Sequence, residues 1–217
     1  MPSWASFATS LHGSISIVTV YVLPRQHVYL VDVHALGAAA FDTAASDGPT
    51  FRAILESPDV TKVFFDVRND SDALHAHFGI RLRGVEDVQL MENASRPAGR
   101  RRFVNGLDRC IERDSGATPA QRQVWQAAKA RGLRLFHPSR GGSYEAFNER
   151  PLSADLETYC VNDVLFLPVL RTRYLPRLAS SWRAKVAEET ARRVLESQGP
   201  SYVPQAESKK FGPWEKP

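Results

Sequence analysis

The chain has 217 residues, which at roughly 150 residues per domain implies one domain with an appendage and leaves no room for two. Apolar residues make up 43% and charged residues 24%, with 11 Phe and 4 Trp, so the chain can build a core and is neither wholly disordered nor collagen-like. The formal net charge of +4 permits a polyanionic partner without requiring one. Cys110 and Cys160 show neither CxxC nor CxxH spacing, which argues against a disulfide framework or a structural zinc site. No apolar run approaches about 18 residues, and the N-terminus lacks a basic region followed by an apolar stretch. The expectation is an intracellular protein, cytoplasmic or nuclear, with no membrane span.

From Ser14 to Leu23 the residues Ile15, Ile17, Val18, Val20, Tyr21 and Val22 form a β-prone run, and Val28 to Val33 forms a second. The short break between them predicts an antiparallel hairpin. Thr50 is placed to cap a helix through Glu56, ended by Pro58. Lys62 to Asp66 is the next strand. Its exit, Val67 to Asp72, is rich in helix-capping side chains, and Ala73 to Phe78 reads as a helix closed by Gly79. Leu82 to Val88 is a further extended piece, followed by helical patterns at Gln89 to Ala94, Val104 to Glu112, Pro119 to Arg131 and Ser153 to Leu167. Strands that then alternate with helices predict an α/β domain with a mixed sheet through about residue 178. Residues 179–217 read as a charged helix, Ser180 to Gln198, and a loosely ordered tail.

Two acids stand out. On the Ser153 helix, Leu156, Cys160, Val164 and Leu167 form an apolar stripe that includes Asp163, with Tyr159 at its edge. A carboxylate aimed inward needs a metal, an arginine or several donors, and a structural salt bridge is the plain alternative. Asp70 follows the strand that ends at Asp66, and helix capping would account for it alone. Ligand sites of open α/β sheets nevertheless gather at the carboxyl ends of strands.

Lys62-Val-Phe-Phe-Asp-Val-Arg-Asn-Asp70-Ser-Asp-Ala-Leu74 resembles the second motif of the DEDDy 3′-5′ exonucleases, the group containing ribonuclease D and the Werner exonuclease domain. Arg150-Pro-Leu-Ser-Ala-Asp-Leu-Glu-Thr-Tyr159-Cys-Val-Asn-Asp163-Val-Leu-Phe-Leu167 is similar to their third motif. His12 to Ile17 and Val28 to Asp32 fit the hairpin after the first. The resemblance implies a ribonuclease H-like exonuclease fold and metal-dependent removal of nucleotides from the 3′ end of single-stranded nucleic acid. It makes Asp70 and Asp163 ligands of Mg²⁺ or Mn²⁺, and Tyr159 the phenol that positions the attacking water.

One motif departs from the family. Its first motif, Asp-x-Glu, falls by ungapped counting on Ser3 and Ala5, and no Asp or Glu precedes Asp32. With two of four acids absent, the expectation is impaired hydrolysis. Two accounts stay open: a chain that starts after the motif, and a degenerate member acting as an inactive adaptor for nucleic acid or protein. Arg150 reads equally as a contact to the substrate backbone or as a structural salt bridge. Arg96, Arg100, Arg101 and Arg102 read as a solvated loop, with phosphate contact as the alternative.

Overall fold

The computed structural model describes residues 15–44 and 46–215, together with the backbone of Ser6–Ala8. Strand β1 (Ser6–Ala8) pairs antiparallel with β2 (Ile17–Val22), and β2 with β3 (His27–Asp32), so that Ile17 faces Asp32 and Val22 faces His27. The expected hairpin is present. Helices α1 (Val33–Leu36), α2 (Ala39–Asp42) and α3 (Phe51–Glu56) follow, and Thr50 Oγ1 caps α3 by accepting from Ala53 N at 3.0 Å.

The next unit is a parallel crossover. Strand β4 (Lys62–Phe64) leads through α4 (Arg68–Phe78) to β5 (Val85–Asp87), which lies parallel to β4. Gly79 closes α4 in the left-handed conformation at φ 65°, as its position predicts. The helix starts at Arg68 rather than Ala73, so Asn69 to Asp72 lie inside it. Antiparallel and parallel pairings of the mixed α/β fold are thus divided between a three-stranded and a two-stranded sheet among the described residues.

Helices complete the domain: α5 (Val88–Ala94), α6 (Leu107–Asp114), α7 (Pro119–Phe136), α8 (Ala154–Leu165), α9 (Leu167–Tyr174) and α10 (Ser180–Ser197). The stretch predicted as one helix from Ser153 to Leu167 is capped by Ser153 but breaks at Phe166. Pro168 is the reason. It sits in the first turn of α9, where a missing N–H costs no hydrogen bond. Ile17, Phe136, Phe147, Leu156 and Cys160 join β2 to α7 and α8. Val18, Phe41, Leu55, Phe64 and Leu74 fill the side under α2, α3 and α4, and Val63, Leu90, Ile111, Leu170 and Val186 the other.

The C-terminal segment corrects the expectation of a loose tail. Tyr202 Oη donates to Asn69 Oδ1 at 2.6 Å, Val104 N donates to Lys210 O at 3.0 Å, and Glu215 accepts from Gly99 N at 2.7 Å and Arg101 N at 2.8 Å. Trp214 meets Trp182 of α10 edge-on at 5.3 Å. Residues 199–215 therefore fold back over the N-terminus of α4 and the loop after α5. No helix among the described residues is long and apolar enough to cross a membrane.

Candidate active site

Asp66 follows β4 with φ 61°, a left-handed backbone that Asp tolerates better than most residues, and the kink turns the chain into α4. Asp87 holds the kink. Its buried carboxylate accepts from Asp66 N at 3.0 Å, Val67 N at 3.3 Å and Gln89 N at 3.0 Å, and pairs with Arg193 of α10 at 2.8 Å. Arg193, only 3% exposed, also donates to Gln89 Oε1 at 2.9 Å. Arg68 grips Asp66 through two bonds of 2.6 and 2.7 Å. A buried ion pair is tolerable when further hydrogen bonds support it, and here Asp87 accepts three backbone N–H groups and Arg193 finds a second acceptor.

That fixed turn places Asp70 in the first turn of α4, half-buried. Burial pushes its carboxyl well above the usual carboxylate range, and Asp66 adds to this; Lys209 opposes them, and Asp87 and Asp163 raise it further. Asp163 of α8 is therefore within electrostatic reach of Asp70, as the weakest of the charges acting on it.

Asp163 lies half-buried on α8. Burial pushes it to about 7, against the Lys129 ammonium, while Asp108 raises it and the hydrogen bond from Tyr159 lowers it. The Tyr159 phenol is pushed up by burial and by Asp163, so it remains a neutral donor at physiological pH. Its ring stands edge-on to Phe136 of α7 at 5.0 Å. Against α7 only glycine leaves room for it: a Cβ on Gly132 would lie 2.7 Å from Tyr159 Cβ and Cδ2.

Three charged neighbours carried no sequence signal. Lys129 of α7 donates to Asp108 of α6 and stands 5.1 Å from the Trp125 ring centre. Lys209, from the tail, donates to Asn69 Oδ1 at 2.5 Å and to Tyr202 Oη at 3.0 Å, beside Asp70. The Lys129–Asp108 ion pair and the Lys209–Asn69 bond each join separate elements, so no spacing announces them. Arg150 is placed elsewhere. Its guanidinium grips Asp32 through two bonds and donates to the carbonyls of Phe147 at 2.8 Å and Glu149 at 2.7 Å, which is the salt-bridge alternative.

The two divalent ions implied by the sequence resemblance find no matching donor set. No group of three or more His, Cys, Asp or Glu side chains converges among the described residues. Strand β1 runs beside α8, but the sequence holds no carboxylate before Asp32, whatever the register; Ser3 and Ala5 themselves lie outside the described residues. Asp70 and Asp163 supply two negative charges against the four positive charges of a two-ion clamp, and Lys129 and Lys209 already face them.

Similarity to known proteins was found at two levels. Residues 8–178 match the 3′-5′ exonuclease family. Among solved structures, Trypanosoma brucei RNase D in complex with RNA U12 superposes with a TM-score of 0.68 at 20% identity, over 94% of this chain and 66% of that one. Escherichia coli RNase D gives a TM-score of 0.58 at 19% identity, over 90% and 45%. Brucella melitensis NrnC with bound Mg²⁺ gives 0.59 at 17% identity, over 91% and 84%. This chain thus spans less than two thirds of either RNase D. A search of curated proteins gave no match. The α/β fold and the match over most of the chain agree: this chain belongs to the 3′-5′ exonuclease family.

Proposed function

We propose that this chain binds the 3′ end of single-stranded nucleic acid beside Asp70, Tyr159 and Asp163, with impaired phosphodiester hydrolysis. The observation that carries the reading is the company these acids keep: among the described residues no group of three or more His, Cys, Asp or Glu side chains is arranged to hold a metal ion, and Lys209 and Lys129 act on Asp70 and Asp163. The family depends on divalent metal, and the sequence resemblance implies four acids around two ions, of which Asp70 and Asp163 match two. Binding draws on less. Two ammonium groups attract a terminal phosphodiester, and Tyr159, a neutral donor, bonds a phosphate or terminal hydroxyl oxygen. The RNA in the T. brucei RNase D complex supports the nucleic-acid class of ligand.

The experiment is a filter-binding titration of 3′-labelled single strands over a salt series, run with a cleavage assay in Mn²⁺. Binding should weaken steeply with salt, each neutralised phosphate contributing a log–log slope of roughly −0.7, while the label stays on the strand. Binding indifferent to salt, or to blocking of the 3′ hydroxyl, would count against the proposal.

A further inference from the structure

A cavity of about 600 Å³ opens between α5, α6 and the turn after α9, and none of Asp70, Tyr159 and Asp163 lines it. Five arginines face it, Arg96, Arg100, Arg109, Arg113 and Arg177, against two carboxylates, Glu92 and Asp114. The excess of three positive charges at this one place compares with +4 for the whole chain.

Both carboxylates already have partners. Arg96 grips Glu92 through two bonds, and Asn105 Nδ2 donates to the same carboxylate at 3.0 Å. Asp114 accepts from Tyr174 Oη at 2.9 Å and faces Arg173 at 3.4 Å. Among the described residues Arg100, Arg109, Arg113 and Arg177 have no carboxylate within 4.0 Å. Arg109 and Arg113 stand one turn apart on the same face of α6, an arrangement that repels unless an anion lies between them.

The backbone of the loop after α5 is held in place while Arg100 and Arg102 stay exposed. Arg96 donates to the carbonyls of Arg100 at 3.0 Å and Phe103 at 2.6 Å, which fixes the loop after α5 from within. The tail fixes it from outside through Glu215.

We propose that this cavity binds a compact oligophosphate, the di- or triphosphate group of a free nucleotide or of a nucleic-acid 5′ end. Guanidinium forks match phosphate oxygens in pairs, and the volume falls within the roughly 300–1,000 Å³ of small-ligand sites. A strand backbone would call for a positive stripe; here the arginines of three segments converge on one concavity.

Calorimetry on the full chain with inorganic tripolyphosphate and with ATP tests the proposal, beside titrations of one RNA carrying either a 5′-triphosphate or a 5′-hydroxyl. Tripolyphosphate should bind, and Arg109→Ala/Arg113→Ala should weaken it by about tenfold or more, with Arg177→Ala acting in the same direction. The exposed pair Arg134→Ala/Arg140→Ala, with the same charge change, should leave binding within about twofold. Asp163→Asn should keep oligophosphate binding whole, which separates this site from the proposed 3′-end site. Tighter binding of 5′-triphosphate RNA than of ATP identifies a strand end as the source, and equal binding a free nucleotide. No tripolyphosphate binding at millimolar concentration, binding unchanged in Arg109→Ala/Arg113→Ala, or equal arginine-dependent binding of both RNAs would overturn it.

Discussion

Gly132→Ala probes how Tyr159 is held. In an exposed helix interior, alanine is more stable than glycine by about 0.5–1 kcal/mol. At residue 132 the new methyl would meet Tyr159 Cβ and Cδ2 at 2.7 Å and Cγ at 2.8 Å, where ordinary contacts begin near 3.4 Å. The ring has no free direction to retreat, because Phe136 stands against it at 5.0 Å and the neighbouring Cys160 is fully buried. Helix α7 must move from α8, and overpacking of this kind costs roughly 1–3 kcal/mol. At mid-range that exceeds the propensity gain, so a net loss of about 1 kcal/mol is expected in urea unfolding at pH 8. Ala127→Gly on the exposed side of α7 calibrates propensity in the same helix. A Gly132→Ala protein as stable as the parent, or more stable, would mean that Tyr159 is not held tightly against α7.

Asp163→Asn should stabilise the fold at pH 8 by roughly 1–2 kcal/mol, since the folded chain raises this carboxyl to about 7 and its ionised form is disfavoured. The sign follows from the raised value: the parent's stability from this group is complete below about pH 4 and lost as pH rises through 7, so the variant's advantage should grow across that window in urea melts. Arg193→Met leaves the buried Asp87 carboxylate without its cation and should cost about 3–5 kcal/mol, whereas Arg192→Ala on the exposed face should cost under about 1 kcal/mol. Lys209→Met removes the ammonium that bonds Asn69, Tyr202 and the Pro204 carbonyl, and limited proteolysis should then cut residues 199–215 several-fold faster.

Local signals carried much of the fold into the sequence. The β2–β3 hairpin, the Thr50 cap, the Gly79 stop and the strand–acidic turn–helix that delivers Asp70 each depend on neighbours a few residues apart. Asp163 was legible because a carboxylate interrupts an apolar stripe. The match of residues 8–178 to the 3′-5′ exonuclease family bears out the resemblance drawn from the two motifs. What stayed hidden is long-range. Asp87 looks like any strand-end acid until Arg193 arrives from α10, and Lys129 pairs with Asp108 only because α6 packs beside α7. The tail misled for a related reason: its apolar residues are few and aperiodic, but Phe211 stacks on Phe103 at 5.3 Å and Trp214 meets Trp182 edge-on, so isolated aromatic contacts fasten it. Pro168 was a readable stop for α8 that the apolar spacing outweighed.

Cleavage and binding measured on the same 3′-labelled single strand, in Mn²⁺, with this chain and its Asp163→Asn variant, separate binding of the strand end from its hydrolysis. The expected result is salt-sensitive binding by the parent chain with no cleavage that depends on Asp163. Rapid release of the 3′ nucleotide by the parent, abolished by Asp163→Asn, would overturn the proposed impairment and establish hydrolysis that depends on Asp163.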